Sequence, residues 1–184
     1  MKNIALIFLS SILLLFSCNN DSSSNLAASN ADKKQLQQRI KSYEDSLSSL
    51  QSDQQKVSQI TSLTQIEYIN RLKAYIKAFP NDIYSADCMF KIHMVYDNLR
   101  APLDARAYAD TLLTRFPNFK NRKIVLESLG SSYDINSPRD TSKVRYYYEL
   151  LLKEPGISSE QKKDIRARLA KLNLSFEQYI LQVN

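Results

Sequence analysis

The chain has 184 residues, 43% of them hydrophobic, with two glycines, no tryptophan and a formal net charge of +6. So few turn-permissive residues exclude a turn-rich β fold, and the length suits one helical domain plus an extension. One histidine and two cysteines leave little material for metal or nucleophile chemistry.

The first element is a leader over residues 1–17. Met1-Lys2-Asn3 supplies a charged start, Ile4 to Phe16 an apolar run, and Ser17 a small residue before a cut, which is the layout of a secretory signal peptide. The run is too short to cross a bilayer core of about 30 Å as a helix. Its end, Leu15-Phe16-Ser17-Cys18, resembles the lipobox of bacterial lipoproteins. That resemblance implies cleavage before Cys18, a diacylglycerol on its thiol and acylation of the new amino group. Several acyl chains, at roughly 0.8 kcal/mol per buried CH₂, anchor a protein stably. Removing the leader removes Lys2 and leaves a net charge of +5. With Cys18 lipidated, Cys88 has no partner for an intrachain disulfide and reads as a small buried hydrophobe.

Residues 18–31 follow as a flexible tether. Asn19 through Asn25 offer no apolar face to bury. In many Gram-negative lipoproteins an Asp directly after the lipidated Cys retains the protein in the inner membrane; Asn19 stands there, which implies the outer membrane. The tether also resembles those of Bacteroidota lipoproteins, in which an acidic run directs surface export. Asp21 is its one acidic residue before Asp32, which favours the periplasmic face.

Residues 32–64 read as a long helix. Leu36, Ile40, Tyr43, Leu47, Leu50, Gln54, Val57, Thr61 and Thr64 alternate at spacings of four and three, a heptad seam that would run about 43 Å as a helix. Two arrangements satisfy it. The seam pairs with a second copy as a coiled coil, giving a homo-oligomer through residues 36–64, or a single amphipathic helix stands off the membrane or folds against its own domain. Polar Gln54, Thr61 and Thr64 weaken the seam towards its end.

Residues 65–184 repeat themselves. Phe79-Pro80-Asn81 recurs as Phe116-Pro117-Asn118, and Glu154-Pro155-Gly156 follows at a similar interval. Each Pro is preceded by apolar rows at helical spacing: Leu72, Tyr75 and Ile76; Tyr108, Leu112 and Leu113; Tyr146, Leu150 and Leu151. Proline ends a helix, because its ring removes a backbone donor and pushes the preceding residue out of the α region. A period in this range is the mark of stacked helix pairs. Ser158 with Gln161 and Ser175 with Gln178 predict two capping boxes near the end. The fold class is therefore all-α, a short helical solenoid behind a long helix.

These residues resemble the tetratricopeptide repeat. Met89, Ile92, His93, Tyr96, Ala105 and Pro117 can be laid on its pattern over residues 86–119. Leu126, Leu129, Gly130, Tyr133 and Tyr146 follow in a second unit starting at 123, with an insertion near Asn136-Ser137-Pro138. In that family the first helix of each pair lines a concave groove. Carried over, the groove residues are Asp87, Phe90, Met94 and Asp97, then Ile124, Glu127, Ser131 and Asp134. The family's Lys, Arg and Asn clamp for a C-terminal carboxylate is absent. The set mixes acids with apolar residues, which suits a segment carrying basic and apolar side chains. The plainer alternative is that these are solvated helix faces.

No HExxH, CxxC, P-loop or G-x-S-x-G pattern occurs. His93 lies where helices of a repeat pack, which favours a satisfied packing role, and Cys88 with His93 falls short of a metal site. No catalytic residue, metal or cofactor is assigned. Lys162, Lys163, Arg166, Arg168 and Lys171 could meet lipid head groups or an acidic partner, or form a solvated face. Nucleic acid is not expected. The arrangement is similar to repeat lipoproteins of outer-membrane β-barrel assembly and to periplasmic division coordinators that carry a coiled coil before their repeats. It implies a lipid-anchored, non-enzymatic scaffold or accessory subunit binding envelope proteins. The alternative is a peptidoglycan- or lipid-associated envelope factor with weak enzymatic activity.

Overall fold

A computed structural model describes residues 21–53 and 55–183; the leader and Cys18 lie outside the described residues. Within them the chain is all-helical, with no strand. It runs α1 (Asp21–Ser52), a 3₁₀ turn (Val57–Gln59), α2 (Ser62–Ala78), α3 (Ile83–Asn98), α4 (Pro102–Arg115), α5 (Arg122–Ile135), α6 (Thr141–Leu151), α7 (Ser159–Ala170) and α8 (Phe176–Val183). Through α7 each helix packs on its neighbours in chain order, and α1/α2, α3/α4 and α5/α6 form successive antiparallel hairpins. None of these helices is long and apolar enough to cross a membrane.

Pro80 and Pro117 lie just past α2 and α4, and Pro155 lies at a longer interval past α6. Phe79 and Phe116, each ahead of a Pro, share one backbone conformation, φ −131° ψ 63° and φ −129° ψ 70°. Both donate their N–H to the carbonyl four residues back, Tyr75 at 2.9 Å and Leu112 at 2.8 Å. The two turns are thus the same turn, set by proline sterics. Asp82, Asp140 and Ser158 supply side-chain N-caps to α3, α6 and α7, each typically worth about 1 kcal/mol. Both expected capping boxes are present, Ser158 with Gln161 and Ser175 with Gln178.

Two apolar clusters run along the stack. Ile40, Ile69, Leu72, Tyr75, Cys88 and Ile92 join α1, α2 and α3; Met89, Leu112, Val125, Leu126, Leu129, Tyr147 and Leu151 lie among the buried residues that join α3 to α6. Ile76 and Tyr108 pack against both, so the core is continuous.

Three sequence readings change here. The segment read as a flexible tether is helical from Asp21, as an extension of the docked part of α1; once a helix is nucleated, adding residues costs little. The long helix ends at Ser52 rather than 64. Asp53 turns the chain, its side chain accepting from Gln55 N at 3.0 Å and its carbonyl from Lys56 N at 2.8 Å, and Thr61 caps α2 instead of extending α1. The polar seam positions mark where the helix stops. The seam also finds a partner within the chain. Ile40 is 1% exposed against α2 and α3, and Leu36, Tyr43, Leu47 and Leu50 are half-buried.

Third, the second unit is out of register with the repeat pattern. Three residues, Leu99–Ala101, join α3 to α4, but five, Asn136–Asp140, join α5 to α6. The insertion is where the sequence placed it, yet it rotates α6. Tyr147, 4% exposed, takes the core position assigned to Tyr146, which is 54% exposed.

Candidate binding face

The first helices of the hairpins form one layer, tied together by side chains. Glu44 on α1 accepts from Lys91 on α3 at 2.6 Å and from Tyr68 on α2 at 2.5 Å. His93 on α3 bonds Ser128 on α5 through Nε2 at 2.9 Å, while its Nδ1 meets the Ala105 carbonyl on α4 at 2.9 Å. Asp134 on α5 meets Arg168 on α7 in a fork of 2.6 and 2.7 Å. α1, α3, α5 and α7 are thereby neighbours.

His93 is a structural bridge. It is buried with both ring nitrogens occupied, and burial holds its pKa below the ordinary imidazole value. An imidazole of that kind has no free nitrogen for a ligand or a proton relay. Cys88 is likewise enclosed, and burial pushes its thiol up to about 12.

Of the eight groove residues carried over from the repeat resemblance, four are open to solvent: Met94 (39% exposed) and Asp97 on α3, Ile124 (46%) and Glu127 on α5. Three are partly engaged. Asp87 pairs with Lys120 at 2.8 Å, the Phe90 ring packs on Phe119 with centroids 5.6 Å apart, and Ser131 bonds the Tyr148 hydroxyl at 3.3 Å. The eighth, Asp134, is not a surface residue. Its carboxylate is fully buried under Arg168 and Arg139, because α7 lies across that end of α5. A cleft of about 530 Å³ opens beside Asp97, lined by Asn98, Arg100, Pro102, Ile135, Asn136 and Ser137.

The basic cluster on α7 divides. Arg168 is consumed by Asp134, which raises its pKa through their hydrogen bonds, while Lys163, Arg166 and Lys171 stay exposed.

Several polar elements carry no sequence signal of their own. Arg106 on α4 is buried without a carboxylate. Its guanidinium donates to the carbonyls of Ser132, Asn136 (2.9 Å) and Pro138 (3.1 Å) and to Ser132 Oγ (3.0 Å), over the Tyr133 ring. It thereby satisfies the open C-terminal end of α5, where the helix dipole favours a cation. Asp110 accepts hydroxyl protons from both Tyr147 and Tyr133, so this carboxylate is a packing device. Only the rigid opposition of α4, α5 and α6 brings these groups together.

Among the described residues no three His, Cys, Asp or Glu side chains are placed to hold a metal ion, and no buried side-chain nitrogen or oxygen lacks a partner. The face that remains combines exposed apolar side chains, Met94 and Ile124, with the exposed carboxylates of Asp97 and Glu127.

Compared with known proteins, the chain matches no family model, no curated sequence and no solved structure.

Proposed function

We propose that this chain is a lipid-anchored scaffold or accessory subunit of a cell-envelope complex. It binds another polypeptide on the α3–α5 face at the periplasmic side of the outer membrane. One observation carries the binding part. Met94, Asp97, Ile124 and Glu127 are exposed on neighbouring first helices, while the carboxylates Glu44, Asp110 and Asp134 are each engaged by partners within the chain. Apolar side chains flanked by carboxylates suit a segment with basic and apolar residues. The anchoring part rests on the leader and on Leu15-Phe16-Ser17-Cys18. The repeat resemblance supports the choice of face and the tetratricopeptide-like reading of the hairpins.

Photo-crosslinkers at Met94 and Ile124 in intact cells test the binding reading, with Leu103, exposed on α4, as the control position. The same envelope protein captured at both face positions, and lost on Asp97→Lys with Glu127→Lys, is the expected result. Equal capture from Leu103, or capture of glycan or lipid without protein, overturns it. For the anchor, Cys18→Ser releases the protein into a salt wash; retention in the membrane fraction refutes lipidation.

A further inference from the structure

α7 has little apolar packing of its own: Ile165 reaches the main core from a half-buried position, with Ile157 anchoring the chain just before the helix, and the one buried residue on the helix itself is Arg168. That guanidinium spends two donors on Asp134 and two on the turn that follows its own helix, the carbonyls of Lys171 (2.8 Å) and Leu174 (3.0 Å). Tyr179 of α8 lies 4.8 Å beneath it. Arg139, from the α5–α6 turn, donates two further bonds to Asp134 Oδ1 (3.1 and 2.9 Å) and reaches the Leu172 carbonyl at 3.1 Å. A single carboxylate thus organises α5, the α5–α6 turn and the path from α7 into α8.

The position of that carboxylate matters. Asp134 is fourth in the α5 row that begins Ile124, Glu127 and Ser131, so the C-terminal segment places an arginine at the end of the very face left open further along the helix. A buried ion pair roughly balances its attraction against the loss of hydration, so the closed state gains little net free energy from the pair itself. Regions with few buried apolar contacts are those that open locally while the rest stays folded.

We propose that α7–α8 is a detachable cover. It opens as a unit from an otherwise intact α1–α6 stack, and the opened state presents Asp134 in line with Glu127 and Ile124 to an arginine-bearing segment of a partner polypeptide, which takes the place of Arg168. The partner's identity rests on the α5 face being the binding face proposed above; the opening does not. Because the partner binds the open state, its apparent affinity scales with the open fraction.

Hydrogen exchange by mass spectrometry on the full chain across a denaturant series reads the opening without any partner. Amides of α7 and α8 should exchange at least about tenfold faster than those around Val125–Leu129, the factor given by 1.4 kcal/mol, with a shallow denaturant dependence. Asp134→Asn should speed α7–α8 by about a further tenfold and leave α3 and α4 unchanged. A synthetic peptide of residues 157–183 serves as the binding probe. It should bind Arg168→Ala full chain about tenfold more tightly than wild type and lose that gain on adding Asp134→Asn. Exchange of α7–α8 only together with α5, or equal acceleration of every helix by Asp134→Asn, overturns the cover, and the wild-type pattern decides this even where a variant fails to fold. Opening without preferential peptide binding overturns the assignment of an arginine-bearing partner. A cover that opens and binds the peptide, beside empty crosslinks at Met94 and Ile124, removes the envelope-partner reading alone.

Discussion

Tyr148 lies so close over Gly130 that a methyl group on the glycine would sit 2.5 Å from the ring's Cε1. The contact lets α6 approach α5 and brings the Tyr148 hydroxyl to Ser131 at 3.3 Å. Two effects oppose each other in Gly130→Ala. Alanine gains about 1 kcal/mol in helix propensity. Overpacking a filled interface costs about 1–3 kcal/mol. Three atoms of the half-buried ring lie within 3.1 Å of the added methyl, so the second term wins and Gly130→Ala should destabilise by about 1 kcal/mol in urea unfolding. In a double-mutant cycle, Tyr148→Ala should relieve that clash; strict additivity of the two changes would argue against the contact.

Ile40 separates the intrachain reading of the α1 seam from self-association. Enclosed by α2 and α3, it should behave as a core residue, and Ile40→Ala should lower the stability of the chain by about 2–4 kcal/mol at any protein concentration. A melting temperature that rises with concentration, with the variant's loss confined to high concentration, would point instead to a seam shared between copies.

His93 predicts a pH dependence whose sign follows from its burial. The folded chain holds the imidazole below its ordinary pKa of 6.5, so between the folded value and 6.5 the unfolded chain binds more protons. Stability therefore rises with pH through this window. It is fully present above about 6.5 and is lost as the pH falls towards the folded value. Urea midpoints measured from pH 5 to 8 should show this acid limb, and His93→Gln should flatten it while costing about 1–2 kcal/mol at pH 7 through lost bonds to Ala105 and Ser128. A wild-type midpoint that is higher at pH 5 than at pH 7 would contradict the assignment.

Cys88 should be chemically silent in the native state. Enclosure and a thiol pKa pushed to about 12 leave almost no thiolate at pH 8. In a chain carrying Cys18→Ser, a disulfide reagent should label nothing until urea is added and then one thiol per chain. Rapid native labelling would mean that α3 opens readily.

What the sequence alone determined here is local. Proline sterics act on the residue directly before, so Phe79 and Phe116 mark helix ends without knowledge of the fold. Capping boxes close within three residues, as at Ser158 and Ser175, and periodicity of apolar residues identifies helices wherever they pack. The candidate face came instead from the repeat resemblance, which implied eight residues; four of them, Met94, Asp97, Ile124 and Glu127, are exposed, since nothing distant intrudes on them.

The remaining structure depends on which elements meet. Asp134 and Arg168 are 34 residues apart, and neither position distinguishes a surface charge from a buried pair until α7 is laid across α5. Arg106 finds the end of α5 only because α4 stands beside it, and two extra residues in one turn exchange Tyr146 for Tyr147 in the core. Whether the seam of α1 turns inward or towards another chain is likewise a competition between surfaces. Local propensities are blind to such contests, because the free energy that settles them comes from desolvation and packing between segments distant in the chain.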